Sequence, residues 1–191
     1  MKRIKNLFML ASVALISTAA SAQMSKISNE KTVMVGGAAM YPSKNIIQNA
    51  VNSKDHTTLV AAVKAAGLVE TLEGAGPFTV FAPTNEAFAK LPAGTVDNLL
   101  KPENKKMLQT VLTYHVISGR LSAADLAAKI KAGGGTASIA TVAGPNLMFK
   151  MKGNKIWVMD TSGNKGYISI SNVNQSNGVI HVINTVMVPK S

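Results

Sequence analysis

Three histidines, His56, His115 and His181, are the side chains best suited to acid–base chemistry or metal binding near neutral pH. They are far apart in sequence, no His-Glu-x-x-His motif occurs, and cysteine is absent. Asp125 and Asp160 are isolated candidates among scattered acidic residues, so no catalytic carboxylate pair or calcium loop can be assigned. Neither a Gly-x-Ser-x-Gly segment nor a phosphate-binding loop is present. The sequence therefore predicts a protein that is not an enzyme and that holds no metal and no cofactor.

The first 22 residues have the features of an export signal. Basic residues precede an apolar run over 7–18, and small residues up to Ala22 predict cleavage between Ala22 and Gln23. This run is shorter than the roughly 20 apolar residues that cross a bilayer, so we expect no transmembrane anchor after cleavage. We expect the mature chain to be periplasmic or secreted to the extracellular space.

The charge of the chain is strongly positive, with 20 basic and 9 acidic residues. Cleavage after Ala22 removes three basic residues and no acidic one, and 17 − 9 leaves a net charge of +8. Outside the cytoplasm this charge favours anionic envelope or matrix polymers as partners, although it could serve solubility alone. Aromatic residues make up only 5%, so a base-stacking nucleic-acid surface is not indicated.

Helical patterns come first along the chain and strand patterns follow, which predicts the α+β class. Residues 23–42 contain Gly36-Gly37 and Pro42 and predict a flexible lead-in. Phe78 and Phe81 lie three apart on a predicted strand, so both are buried only if both faces of that strand are covered. Residues 179–188 alternate with apolar side chains on both faces, which predicts a central strand.

Three segments resemble the fasciclin (FAS1) domain family. They are Thr79-Val-Phe-Ala-Pro-Thr-Asn-Glu-Ala-Phe88, the pair Tyr114-His115, and Gly178-Val-Ile-His-Val-Ile-Asn-Thr-Val-Met-Val-Pro189. Their order and spacing extend the resemblance over residues 43–190. It implies a compact β-wedge capped by several α-helices, in an extracellular or envelope module associated with cell adhesion.

The resemblance also implies roles for individual residues. Tyr114 and His115 form the Tyr-His segment that the family associates with partner binding, and Arg120 lies near them in sequence; the alternative is that the Tyr-His pair is buried in the core. Asn85 and Asn184 stand where Asp is frequent in the family, which weakens any case for an acidic site. The motif residues expected to be structural are Phe81, Pro83, Thr84, Asn85, Phe88, His181, Asn184 and Pro189.

Two functions from different classes follow as hypotheses. The first is an exported, monomeric, non-enzymatic FAS1 module that binds an envelope or matrix protein or polysaccharide, anionic polymers included, through a preformed surface. The second is a periplasmic carrier of a small molecule or carbohydrate, which requires a pocket of about 300–1,000 Å³ with convergent polar groups. A hydrolase is a third possibility, and it requires a His–Ser or His–carboxylate pair within about 3 Å.

Overall fold

The computed structural model describes residues 30–190. The strands in this part of the chain are β1 (Val33–Val35), β2 (Ala38–Met40), β3 (Phe78–Pro83), β4 (Val116–Ser118), β5 (Thr136–Ala140), β6 (Asn146–Lys152), β7 (Lys155–Met159), β8 (Lys165–Gln175) and β9 (Gly178–Ile183). The helices are α1 (Ile46–Ala50), α2 (Thr57–Ala66), α3 (Val69–Glu73), α4 (Asn85–Ala89), α5 (Thr95–Leu99), α6 (Lys105–Tyr114) and α7 (Ala123–Ala132). None of the helices within residues 30–190 is long and apolar enough to span a bilayer.

Seven strands form one sheet in the order β4-β3-β9-β8-β7-β6-β5. Neighbouring strands are antiparallel except β3 and β9, which run parallel. Just after β5, the Val142 N–H donates to the Val116 carbonyl at the start of β4, at 2.8 Å. The two ends of the sheet therefore meet, and the predicted α+β architecture is confirmed as a nearly closed sheet with helices packed on it.

The N-terminal hairpin differs from the flexible lead-in predicted over 23–42. β1 and β2 pair as antiparallel strands around Gly36-Gly37, and both glycines have positive φ. The same glycines that interrupt a helix thus make a tight hairpin turn. Val35 and Met40 from the two strands are buried in the core. The predicted lead-in is therefore wrong for the hairpin, whereas residues 1–29, with the predicted export signal, lie outside the described residues.

Two apolar clusters lie on opposite faces of the central strands β3 and β9. Phe78 packs against the cluster that the hairpin, α1, α2, α3 and α6 cover. Phe81 is fully buried in the second cluster, which the sheet encloses together with α7. Both faces of β3 are covered, and this is the condition under which two phenylalanines three residues apart can both be protected from water.

β9 ends at Ile183, whereas the strand predicted from the sequence continues for five more residues, to Val188. Its parallel partner β3 ends at Pro83, which pairs with Ile183, and proline has no N–H with which to extend the ladder. Beyond this point the N–H groups of Met187 and Val188 donate to buried side chains instead. The apolar pattern continues to Val188 because the segment stays buried after it leaves the sheet.

Candidate functional site

Tyr114, which the resemblance implies as a contact residue, is completely buried at the end of α6. Its hydroxyl donates to the Asn146 carbonyl at 2.9 Å and accepts from the Thr161 N–H at 3.2 Å. Burial raises the pKa of the phenol, so the hydroxyl keeps its proton and remains a donor. The expectation of a contact surface at Tyr114 is thus corrected: the side chain ties α6 to β6 and to the turn after β7.

His115 is also buried, with 3% of its surface exposed. The Met187 N–H donates to Nε2 at 3.0 Å, so Nε2 is an acceptor and Nδ1 carries the proton that is donated to the Val111 carbonyl at 2.8 Å. Burial lowers the pKa to about 4, although the Val111 hydrogen bond and the Asp160 charge oppose the shift. His115 is therefore a neutral internal link rather than a surface contact, which corrects the second expected contact residue.

Arg120 is the exposed member of the three expected contact residues. Its guanidinium donates to the Gln175 carbonyl at 2.9 Å and to Asn174 Oδ1 at 3.4 Å, at the end of β8. Since the side chains of Tyr114 and His115 are buried, the three residues do not form one surface. The contact site expected around the Tyr-His segment is absent from the described fold.

His181 is fully buried on β9 and stacks on Phe81, with the ring centroids 5.6 Å apart. The Asn172 N–H donates to Nδ1 at 3.3 Å, and Nε2 donates to the Leu121 carbonyl at 2.8 Å. Burial lowers its pKa and favours this neutral form. Within residues 30–190, no three His, Asp or Glu side chains come close enough together to hold a metal ion.

The first FAS1-like segment forms the corner between β3 and α4. Pro83 and Phe88 are buried, and Thr84 caps α4 by accepting the Ala87 N–H at 3.3 Å. The Thr84 N–H donates to the Ile183 carbonyl at 3.3 Å. These contacts join the end of β3, the start of α4 and the end of β9.

Asn85 uses its amide to connect α4 with the start of α2. Its Oδ1 accepts from the Thr58 N–H at 3.0 Å and from the Thr57 hydroxyl at 3.2 Å. Its Nδ2 donates to the Lys54 carbonyl at 2.9 Å. An aspartate at this position would keep the two acceptor contacts and lose the donor, so the amide is matched to this carbonyl.

The second FAS1-like segment is held in a similar way. Asn184 Oδ1 accepts from the Tyr167 N–H at 2.8 Å, which binds the end of β9 to β8. Pro189 is half-buried, and the Val188 N–H before it donates to Asp160 Oδ2 at 2.8 Å. The buried Asp160 also accepts hydrogen bonds from the turn between β7 and β8. Its carboxylate is therefore engaged in structure.

Ser53 and His56 form the kind of pair that a hydrolase requires, with Oγ and Nδ1 2.8 Å apart. Both side chains are only 3% exposed. The hairpin closes over the serine, because a Cβ placed on Gly36 would lie 2.3 Å from Ser53 Oγ. Nε2 of His56 has no hydrogen-bond partner among the described residues, so no carboxylate orients the ring. This pair is not arranged for nucleophilic attack on a substrate.

A cavity of about 90 Å³ lies beside this pair. Its walls come from the β1–β2 hairpin, α1, α2, α3, α6 and the strands β3 and β9, and they are almost entirely apolar. The cavity is smaller than the roughly 300–1,000 Å³ of pockets for drug-sized ligands. Its size and apolar lining do not suit a carbohydrate, which needs several polar partners.

The outward face of β6, β7 and β8 has a different character. Side chains alternate along each strand, and the outward set contains lysines and aromatic rings. We call this set the lysine–aromatic face; it comprises Lys150, Lys152, Lys155, Trp157, Lys165 and Tyr167. The Trp157 and Tyr167 ring centroids are 5.6 Å apart, and the Nζ atoms of Lys152 and Lys155 lie 5.4 Å from the Trp157 ring and 4.3 Å from the Tyr167 ring, respectively.

Comparison with known proteins decides the family. Residues 54–189, most of the chain, match the family model described as the Fasciclin domain. The chain belongs to the fasciclin domain family. Protein sll1483 of Synechocystis sp. is 46% identical to it over 172 residues, which cover 90% of this chain and 87% of that protein. The immunogenic protein MPB70 of Mycobacterium bovis is 36% identical over 145 residues, which cover 73% of this chain and 66% of that protein.

A solved structure also shows the fasciclin fold. The FAS1 domain pair from the insect cell adhesion molecule Fasciclin I superposes with a TM-score of 0.67 at 16% sequence identity. The match covers 76% of this chain and 51% of the domain pair. The expected FAS1 fold, a β-wedge capped by helices, is therefore confirmed.

Sequence reasoning about this fasciclin domain missed a group of buried amides. Asn177 Oδ1 accepts from the Ile46 N–H at 3.1 Å, and its Nδ2 donates to the Leu72 and Gly74 carbonyls at 2.8 Å each. Asn49 donates to the side chain of Gln175 on β8. An isolated amide in a polar-looking segment gives no sequence signal that it will be buried. Lys150, Lys152 and Lys155 form one of the densest basic clusters of the sequence, but their position beside Trp157 and Tyr167 was not predicted, because the face is built by three strands.

Proposed function

We propose that this fasciclin-domain protein is an exported, non-enzymatic module that binds anionic polymers of the cell envelope or matrix and thereby supports adhesion. The observation that carries the proposal is the charge of the C-terminal third of the chain. Residues 126–190 contain seven lysines and one acidic residue, Asp160. All seven lysines are exposed, whereas Asp160 is buried. A surface with this imbalance attracts polyanions and speeds their association.

The buried titratable side chains are occupied by internal hydrogen bonds, which supports a non-enzymatic role. His115 and His181 use both ring nitrogens in hydrogen bonds to the backbone, and Asp160 accepts bonds from backbone N–H groups. Groups held in this way stabilise the fold and are not free to transfer protons to a substrate. The insect protein that shares the fold is by name a cell adhesion molecule, which agrees with this role.

Sedimentation with isolated cell envelopes tests the proposal. The full chain is expressed with its own N-terminal segment, purified, and mixed with envelopes of the producing cell over a salt series. We expect saturable binding that persists at about 0.15 M salt and weakens above it. Absence of saturable binding at every salt concentration refutes the proposed function.

Two variants with equal charge separate a located surface from general attraction. One replaces the seven lysines of residues 126–190 by Gln, and the other replaces seven exposed lysines of residues 44–106: Lys44, Lys54, Lys64, Lys90, Lys101, Lys105 and Lys106. We expect the first variant to lose most of its envelope binding and the second to keep it. Equal loss in both variants contradicts a binding surface within residues 126–190.

The cavity favours a second candidate function, carriage of a small apolar molecule. Its volume of about 90 Å³ is of the same order as the ~150 Å³ apolar cavity that holds benzene or xenon in an engineered protein. His56 lines the cavity, and its Nε2 has no hydrogen-bond partner among the described residues. Burial lowers the pKa of His56, and the Ala82 backbone nearby partly opposes this shift without forming a hydrogen bond to Nε2.

Xenon binding followed by NMR tests the carrier function. We expect chemical-shift changes at cavity residues that saturate with xenon pressure. Replacing Ala50, which lines the cavity at the end of α1, by Leu should fill the space and abolish these changes. Unchanged signals in the parent protein exclude an accessible cavity and with it the carrier function.

A further inference from the structure

We propose that the lysine–aromatic face is the binding site for an acidic polysaccharide. Sugar rings stack on Trp157 and Tyr167, and carboxylate or sulfate groups of the polymer pair with the surrounding lysines. This inference rests on the proposed function and goes further, because it names the site and the chemical class of the ligand.

The strand register places the two aromatic rings side by side in the middle of the face. Trp157 on β7 pairs with Lys150 on β6 and with Tyr167 on β8. The three side chains therefore form one row across three strands. Neighbouring strands lie about 5 Å apart, so the two rings, whose planes are 53° apart, make one apolar platform with Lys150 at one end of the row.

Lysines also border the platform on its other sides. Lys152 and Lys155 pair with each other in the next row; Lys152 lies two residues after Lys150 on β6, and Lys155 lies two residues before Trp157 on β7. Lys165 pairs with Met159 in the row on the opposite side of the rings. Alternate residues on a strand are about 7 Å apart, so these three lysines and Lys150 border the ring pair on three sides.

The contacts among these side chains show how the face can accept an anion. The ammonium groups of Lys152 and Lys155 lie over the aromatic rings. Cation–π contacts at exposed positions are weak, whereas hydrogen bonds from ammonium to carboxylate or sulfate are charge-assisted and stronger. The segment that builds the face, residues 146–175, has Asp160 as its acidic residue, and Asp160 is buried. An anionic polymer can thus draw the lysines away from the rings and uncover them for stacking.

The apolar side chains of the face project little from the sheet, which favours a polymer over a lipid bilayer as the ligand. Trp157, Tyr167, Met148 and Met159 are all half-buried and lie on a regular sheet. Membrane-surface proteins bury apolar side chains about 5–10 Å into the head-group region, which requires those side chains to project from the surface. Half-buried rings bordered by charges instead suit a chain of sugar rings that lies across them.

Trp157 is the single tryptophan of the chain and therefore reports directly on this site. The full-length protein is titrated with polygalacturonate, and Trp157 fluorescence is followed. We expect a saturable change in emission that weakens with salt, and binding of neutral dextran at least about tenfold weaker. Vesicles that contain an anionic lipid are titrated in parallel. An unchanged Trp157 signal, equal binding of dextran, or tighter binding of the vesicles than of polygalacturonate overturns the proposal.

Two sets of variants test the residues. Lys150→Gln with Lys155→Gln, and Tyr167→Ala alone, keep the Trp157 reporter and should each weaken polygalacturonate binding by about tenfold. The matched control replaces Lys105 and Lys106 on α6 by Gln, removes the same charge, and should change binding less than about twofold. Thermal unfolding verifies that each variant is folded, and Tyr167→Leu replaces the alanine variant if that one is unfolded.

The outcome separates this site from the proposed function. Equal weakening in the lysine pair of the face and in the control pair places the attraction in overall charge and overturns the site. If both variants of the face still sediment with envelopes like the parent protein, the chain has its adhesive function but uses another surface. If the parent protein fails to bind envelopes, the proposed function fails. A saturable change in Trp157 fluorescence with polygalacturonate would still show that the face binds a polyanion.

Discussion

Lowering the pH from 7 to 5 should destabilise the folded chain through His115. In the fold, this ring bridges the Val111 carbonyl and the Met187 N–H and is buried, and its pKa is about 4 against 6.5 in an exposed histidine. At pH 5 the unfolded chain therefore binds a proton that the folded chain excludes. The free energy of unfolding falls as the pH drops below 6.5 and continues to fall until the pH reaches the folded-state value.

The magnitude follows from the two pKa values. Over the interval from pH 7 to pH 5, His115 alone should cost about 2 kcal/mol of stability, on the scale of 1.36 kcal/mol for each pKa unit. Burial also lowers the pKa values of His56 and His181, and these residues contribute with the same sign. The total loss should thus equal or exceed that of His115.

Urea unfolding at pH 7, 6 and 5 measures this loss, and the variant His115→Gln is the control. The glutamine cannot titrate, so the variant should be less stable at pH 7 but show a shallower dependence on pH, by about 2 kcal/mol over the interval. Histidine NMR signals provide a second readout, since the His115 ring should remain neutral at pH 5. A parent protein equally stable at pH 7 and 5, or a variant with the parent's slope, would refute the reasoning.

Substitutions at three residues test the internal hydrogen bonds. Tyr114→Phe leaves the Asn146 carbonyl and the Thr161 N–H without their partner and should cost about 1–3 kcal/mol, measured by urea unfolding. Asn85→Ala removes the side-chain acceptor at the start of α2 and should lower the melting temperature by about 2–4 °C, whereas Asn85→Asp, which keeps the acceptor, should lower it less. Asn177→Ala leaves the buried N–H and carbonyl groups it binds unpaired and should cost more than Asn85→Ala in the same melting assay.

Apolar spacing predicted the central elements of the fold because burial on two faces leaves a strong signal. The strand predicted to hold Phe78 and Phe81 is present as β3. The hairpin around Gly36-Gly37 was not predicted, because two three-residue strands are too short to show alternation. The length of β9 was overestimated, since an apolar pattern reports burial and not hydrogen bonding.

The candidate site was harder to predict than the fold. Tyr and His next to each other in a motif give no sign of whether the side chains face solvent, and the polar atoms of Tyr114 and His115 find partners far along the chain. The lysine–aromatic face was also invisible, because strand pairing brings Lys150, Trp157 and Tyr167 together only after folding. Neither result depends on local propensity, so a single sequence carries little information about them.

The residues that identify this chain as a fasciclin domain are the residues that hold it together. Thr84 caps α4, and Asn85 and Asn184 join neighbouring elements. His181 is buried and donates a hydrogen bond to the Leu121 carbonyl. Such side chains are occupied inside the molecule, so family membership specifies a scaffold and leaves the partner open. The lysines at the outward positions of β6–β8 are exposed, and the inward positions of the same strands supply the core. Lysines and aromatic rings can therefore be placed there without cost to the fold, and this is where the specificity of the chain for a polymer should reside.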